Sequence, residues 1–203
     1  MIRILIVLAL AGGLGFSLAS WPLGWPFGAG PAGLGLLVVA GVAARGIWNR
    51  DSTSPPGSPE RTLWVLMGSS AAIATHLLAS LWRIGPEFEL NTDAGHRLGI
   101  DSWSLVLGMG LAYAIARDPN PRSDERDAWI ASRGTHWTSN TLASLVLLMA
   151  VVLAFEPTEE IRRLSRPAIA HVAILCVILA WLVGTLVQLY AYALDHAAAR
   201  EPA

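Results

Sequence analysis

The sequence predicts an all-α fold, a polytopic transmembrane bundle of six helices, and three observations carry this prediction. Only 14% of the 203 residues are charged, whereas a soluble domain has about a quarter. Six apolar runs approach or reach the roughly 17–25 residues that cross a bilayer as a helix. The apolar residues in these runs are nearly continuous, without the alternation of barrel strands or the single apolar stripe of a surface helix.

The first run, residues 4–20 (ILIVLALAGGLGFSLAS), has two interpretations. As a membrane helix it gives a protein of six spans. As a secretory signal peptide, with Arg3 before it and the small residues LAS ahead of Trp21, it leaves five spans after cleavage. We favour the membrane helix, because the apolar stretch is long and only one charge precedes it.

Five further runs complete the predicted bundle. The second is rich in glycine and carries Pro31 near its start, and the fourth is long enough only if Asp101 lies at the membrane edge. A helix satisfies all its own backbone hydrogen bonds, as lipid requires. The predicted spans are residues 28–44, 63–82, 98–116, 138–155 and 167–194.

Small residues recur on the second and fourth predicted helices. Such residues let helix backbones approach closely in lipid, so we expect these two helices to be central, although an Ala- and Gly-rich composition alone would give the same pattern. The residues concerned are Ala29, Gly33, Gly35 and Gly41 on the second helix and Gly108, Gly110, Ala112, Ala114 and Ala116 on the fourth.

The densest charge of the chain lies in residues 121–137 (PRSDERDAWIASRGTHW). Ser123 is a candidate helix cap, and acidic residues follow it where the helix dipole favours them. The spacing predicts a short amphipathic helix at the cytoplasmic interface that turns into the fifth span near Gly134; a solvated loop with an anchoring Trp is the alternative. Its predicted docking face for a partner comprises Asp124, Glu125, Arg126, Trp129 and Arg133.

The distribution of arginine predicts the orientation. Short cytoplasmic loops of bacterial membrane proteins collect positive charge. With both termini in the cytoplasm, nine arginines lie inside and five outside, although the last outside loop (EPTEEIRRLSR) is also basic. We therefore expect a multipass protein of the bacterial inner membrane with cytoplasmic termini.

The segment DERDAWI, placed before an apolar span, resembles a juxtamembrane signature of small bacterial multipass proteins of unknown function. In that signature, D-E-R-x-x-x-I precedes a membrane helix, and Asp124, Glu125, Arg126 and Ile130 match it. The resemblance covers residues 123–155. It implies a membrane-bound regulator and carries over no catalytic residue.

Ionisable side chains within predicted spans are functional candidates because lipid makes them costly. His76 and His171 fall at similar depth near the predicted outer side, and Asp101 falls on the same side. This set could ligate a metal ion, or the two histidines a haem. A proton relay is a further alternative, and so is simple hydrogen bonding to a neighbouring helix, since no H-E-x-x-H or C-x-x-C-H motif is present.

Composition narrows the function classes. The net charge of −1 gives no positive field for nucleic acid, and the single Cys176 excludes an internal disulfide and a cysteine metal cage. No phosphate-binding loop or hydrolase motif is found. We therefore expect a non-enzymatic protein of the lipid bilayer, without a cofactor, that binds a protein partner or a second copy of itself. A haem- or metal-binding redox protein is the alternative, and a transporter or channel the third hypothesis.

Overall fold

A computed structural model describes residues 1–20, 28–50, 57–118 and 123–198. Within these ranges helices are the only regular secondary structure, joined by short connections, and no strand is present. The helices are α1 (Ile2–Ala19), α2 (Ala29–Arg50), α3 (Ser58–Ile84), α4 (Asp93–Ala116), α5 (Glu125–Phe155), α6 (Glu159–Arg162) and α7 (Arg166–Ala198).

Six of these helices, all but the single turn α6, are long and apolar enough to cross a membrane. The prediction of an all-α, six-helix membrane bundle is confirmed in this respect. Several helices extend beyond the predicted spans, as α3 does by starting at Ser58 and α7 by ending at Ala198. Hydropathy detects only the apolar part of a helix, whereas backbone hydrogen bonding continues into the polar flanks.

The predicted interfacial helix over residues 121–137 requires correction. From Glu125 onward these residues are the first turns of α5, which continues without interruption to Phe155. Gly134 is buried within this helix, where it allows close contact with α7, and does not mark a turn. Residues 121 and 122 lie outside the described residues, as do the predicted cytoplasmic Arg200 and the predicted cleavage position at Trp21.

The helices pack around α3, which contacts α1, α4 and α7. The two outer helices, α2 and α5, pack mainly on α4 and α7 respectively. The expectation that α2 and α4 are both central is therefore wrong for α2. Buried side chains of α3, including Met67, Ile73 and Leu77, form the middle of the hydrophobic core.

The contact between α2 and α4 is nevertheless made by the predicted small residues. A Cβ atom at Gly108 would lie 2.8 Å from the Cα atom of Leu34, and one at Gly41 would lie 3.1 Å from the Cα atom of Ala112. Gly35 and Gly110 face away, with nothing within 4 Å of a Cβ atom at either position. One row of small residues on each helix thus sets the close approach.

The bundle has two polar ends. We call the end that holds the starts of α1, α3 and α5 and the end of α7 the terminal face, and the other end the opposite face. At the opposite face Arg83 donates hydrogen bonds to the carbonyl oxygen of Ala19 at 2.8 Å and to the hydroxyl of Ser20 at 2.6 Å. These bonds join the ends of α1 and α3, as expected for two parallel helices.

Candidate functional site

His76 lies within α3 and is only 1% exposed. Neither ring nitrogen makes a hydrogen bond with any described residue. A buried imidazole normally has at least one hydrogen-bond partner, so this ring is an exception among the buried polar groups of the bundle.

His171, on α7, is differently placed. Its Nδ1 atom lies 2.8 Å from the carbonyl oxygen of Pro167, one turn earlier in the same helix, and the ring of Phe88 packs edge-on at 5.6 Å. A carbonyl oxygen can only accept, so Nδ1 carries the proton and Nε2 is the nitrogen left for a ligand.

Asp101 is hydrogen-bonded to the start of α2. Its Oδ1 atom accepts a hydrogen bond of 2.6 Å from the amide of Gly30. Among the described residues no group of three or more His, Cys, Asp or Glu side chains is arranged to hold a metal ion. The structure therefore does not assemble His76, His171 and Asp101 into a three-ligand site, and the role of the two histidines in binding a cofactor stays a prediction.

The charged start of α5 is organised by a capping box. The carboxylate of Asp124 accepts from the amide of Asp127 at 2.8 Å, and the carboxylate of Asp127 accepts from the amide of Asp124 at 3.3 Å. These two bonds satisfy amides that the helix leaves without partners. The predicted cap at Ser123 is therefore displaced by one residue, to Asp124.

The same segment is bonded to the end of α7. The hydroxyl of Tyr192 donates to Oδ1 of Asp127 at 2.6 Å. Arg126 forms a salt bridge with Asp195, and its guanidinium lies 5.8 Å from the centre of the Tyr192 ring. Both side chains of the salt bridge are about half exposed, at 49% for Arg126 and 44% for Asp195.

The start of α3 adds a third helix to this arrangement. The buried carboxylate of Glu60 accepts from the indole nitrogen of Trp64 at 3.2 Å and lies 3.2 Å from Nε2 of His196 near the end of α7. We call these two bonded sets, which are adjacent along α7 at Asp195 and His196, the terminal-face network: Glu60, Trp64 and His196, and Arg126, Asp127, Tyr192 and Asp195.

The remaining residues of the predicted docking face point away from this network. Glu125 is exposed, Trp129 is 59% exposed, and the guanidinium of Arg133 lies 5.4 Å from the Trp129 ring centre. Spaced four residues apart, they form one row on α5, which we call the outer stripe. The structure thus divides the predicted face: Arg126 bonds within the protein and Asp124 caps the helix, whereas Glu125, Trp129 and Arg133 face outward.

Sequence reasoning missed most of the terminal-face network. Asp195, His196 and Tyr192 lie at the end of the last apolar run and are not among the predicted site residues, and neither is Glu60. The available signal was weak: Glu60 is an acid in the first turn of a helix that becomes apolar soon after it.

The comparisons with known proteins add no relative. The resemblance of residues 123–155 to small bacterial multipass proteins therefore stays a prediction. No family model matches the chain, and no curated protein or solved structure shows significant similarity to it.

Proposed function

We propose that this chain is a non-enzymatic protein of the bacterial inner membrane that acts by binding a protein partner through the outer stripe of α5. The terminal face lies in the cytoplasm in this proposal. The excess of arginine expected on that side, nine against five, supports this orientation. A membrane regulator or an accessory subunit of a membrane complex would act in this way.

Helix length supports a surface outside the hydrocarbon at this position. The 31 residues of α5 extend for about 46 Å at 1.5 Å per residue, compared with about 30 Å for the hydrocarbon core. The apolar end of α5, from Val146 to Phe155, fits the hydrocarbon, so the surplus length falls at the charged start. This surplus supports a position of the outer stripe at or beyond the headgroups.

The observation that carries the proposal is that α5 packs on and bonds to α7 along one side, whereas its outer stripe faces away from the bundle. Ile130 and Gly134 are its buried residues and face α7, and Arg126 and Asp127 bond to the end of α7. These contacts hold the start of α5 in a defined orientation. A fixed helix with an exposed Trp beside an Arg carries two residue types that are enriched at protein interfaces.

Photo-crosslinking in living membranes tests the proposal. A photo-reactive amino acid at Trp129 should give a discrete adduct with one partner protein, and Arg133→Glu should weaken that adduct. The matched control is the same amino acid at Leu194, which is 51% exposed near the terminal-face end of α7. We expect no specific adduct there.

Three outcomes would contradict this function. Adducts with phospholipid alone would make Trp129 a membrane anchor, and identical adducts at both positions would show a lack of specificity. An adduct of twice the protein's mass would show that the partner is a second copy of the chain and not a separate protein.

A second candidate function, a small redox protein with haem or a metal ion, is favoured by the unpaired ring of His76. Two histidines on different helices can supply both axial ligands of a haem. An absorption spectrum and a metal determination on the purified protein test this candidate. Haem ligation by His76 requires a Soret band that disappears in His76→Ala, and a protein without colour or stoichiometric metal would rule this candidate out.

A further inference from the structure

A second feature of the molecule, separate from the outer stripe, is an open groove between α1, α2 and α3. Its volume is about 750 Å³, within the usual range of ligand sites. The walls are mainly apolar, and small residues such as Ala11, Ala40 and Gly68 alternate with larger ones such as Leu10. Because these three helices carry membrane-spanning runs, the groove opens toward lipid.

The groove is closed toward the opposite face and opens toward the terminal face. A Cβ atom at Gly15 would collide with the backbone of Ala72, which shows how closely α1 and α3 approach there. A Cβ atom at Gly33 would lie 2.9 Å from a methyl group of Leu18, so α1 and α2 meet at the same level. Below this point α1 stays beside α3, where a Cβ atom at Gly68 would lie 3.7 Å from a methyl group of Val7, and the groove lies between this pair and α2.

The open end has a polar rim of four side chains. Arg3 lies in the first turn of α1, Trp48 near the end of α2, and Glu60 and Trp64 in the first turns of α3. Arg3 is exposed and makes no ion pair with any residue of the described ranges. Glu60 is held in place by Trp64 and His196. The rim thus presents one fixed negative charge and one exposed positive charge, and a second guanidinium, that of Arg61, lies 5.9 Å from the centre of the Trp48 ring.

We propose that this groove is a binding site for one acyl chain of a zwitterionic phospholipid with an ethanolamine headgroup. The wall formed by α1, from Arg3 to Leu14, is about 16 Å long at 1.5 Å per residue. That is about half of the roughly 30 Å hydrocarbon core, the depth of a single leaflet. The dimensions fit a chain that enters from the terminal-face leaflet and ends where Leu18 and Gly33 meet.

The charges of the rim select the headgroup. Arg3 is placed for the phosphate, which arginine binds through several N–H donors. The carboxylate of Glu60 is placed for the ammonium group, and it would repel a headgroup whose only charge is negative. Trp48 and Trp64 lie where tryptophan is enriched in membrane proteins, at headgroup depth.

Lipid retention by the full-length protein tests this site. The protein is reconstituted in vesicles of equal parts phosphatidylethanolamine and phosphatidylglycerol and extracted in mild detergent, and retained lipid is counted by native mass spectrometry. We expect phosphatidylethanolamine to be retained about fivefold over phosphatidylglycerol, the ratio that one interfacial charge supports. Arg3→Ala should lower its retention by a similar factor, and Glu60→Gln should remove the selectivity.

A pair of matched substitutions tests whether the groove itself holds the chain. Ala40→Phe fills the groove and should abolish retention, whereas Ala143→Phe, on an exposed position of α5 outside it, should leave retention unchanged. Equal retention of the two lipids, or full retention by Ala40→Phe, would overturn the proposal. A lipid-free dimer that Ala40→Phe converts to a monomer would overturn it as well, because the groove would then hold a second copy of the chain. Each result is independent of crosslinking at Trp129.

Discussion

The contact between α2 and α4 is made by glycine and alanine, whereas the ends of α3, α5 and α7 are joined by charged and aromatic side chains. In the first region, Gly41 and Gly108 bring two helix backbones together over several turns. In the second, the carboxylates of Glu60, Asp127 and Asp195 each bond to a polar side chain of another helix, and Glu60 also bonds to Trp64 of its own helix. Both regions fix neighbouring helices, and they do so by different physical means.

The difference follows from the surroundings of each region. Within the hydrocarbon, helices gain nothing by moving apolar surface from lipid to protein, so they associate through close van der Waals packing, for which small residues are suited. At the end of the bundle, charged groups remain near water and can be paired without the full cost of desolvation. We therefore expect the packing contact to contribute more to stability than any single pair in the network.

The largest effect is expected for Gly108→Leu. The new Cβ atom would lie 2.8 Å from the Cα atom of Leu34, and backbone cannot yield as a flexible side chain would. We expect a loss of about 3 kcal/mol or more in the free energy of unfolding, at or above the upper end of overpacking costs. Unfolding in mixed detergent micelles measures it. Gly110→Leu is the control, because nothing lies within 4 Å of a Cβ atom there; equal losses would refute the role of the small-residue row.

These two regions also differ in how well the sequence predicts them. Helix existence follows from long apolar runs, and the spacing of Gly33, Gly41 and Gly108 predicts close packing because spacing along one helix fixes which residues share a face. The same pattern does not tell which of Gly108 and Gly110 faces α2, because the rotation of α4 about its axis depends on the packing of the whole bundle.

The pairs of the terminal-face network could not be predicted in the same way. Glu60 and His196 are far apart in the chain, and they meet only because α3 lies beside α7. Arg126 was correctly placed in a charged helix start, but whether it bonds to Asp195 or faces outward depends on the rotation of α5 about its axis. Pairs of this kind, which join distant parts of the chain, leave no periodic signal in one sequence.

Asp101→Ala sharpens the comparison, because Asp101 supplies a polar bond within the α2–α4 contact. The substitution leaves the amide of Gly30 without its acceptor, and hydrogen bonds to charged groups contribute about 1.5–3 kcal/mol. We expect a loss in that range and faster hydrogen exchange at the start of α2. Asp101→Asn keeps an acceptor oxygen and should lose less. Unchanged exchange at Gly30 in the alanine variant would show that this bond does not hold the start of α2.

Asp127→Ala should have a smaller effect at the terminal face. It removes the bond to the amide of Asp124 and the bond from Tyr192, at a cost of about 1–2 kcal/mol in the free energy of unfolding. Glu125→Ala is the control, because Glu125 also lies in the first turn of α5 but is exposed and outside the capping box. If both variants lose the same free energy, the effect comes from helix-dipole charge and not from the two bonds.

The smallest effect is expected for the salt bridge between Arg126 and Asp195. Both side chains are about half exposed, so solvent screens their attraction, and exposed pairs contribute about 0.2–1 kcal/mol. A double-mutant cycle with Arg126→Ala and Asp195→Ala isolates this coupling from the contact of Arg126 with the Tyr192 ring. The coupling should fall as salt is raised, because the Debye length shortens from about 10 Å at 0.1 M to about 3 Å at 1 M. A coupling well above this range, or one insensitive to salt, would mean that this end of the bundle is shielded from water. The network would then stabilise the bundle as a buried contact does. The contrast between a screened polar network and the close packing of α2 on α4 would fail.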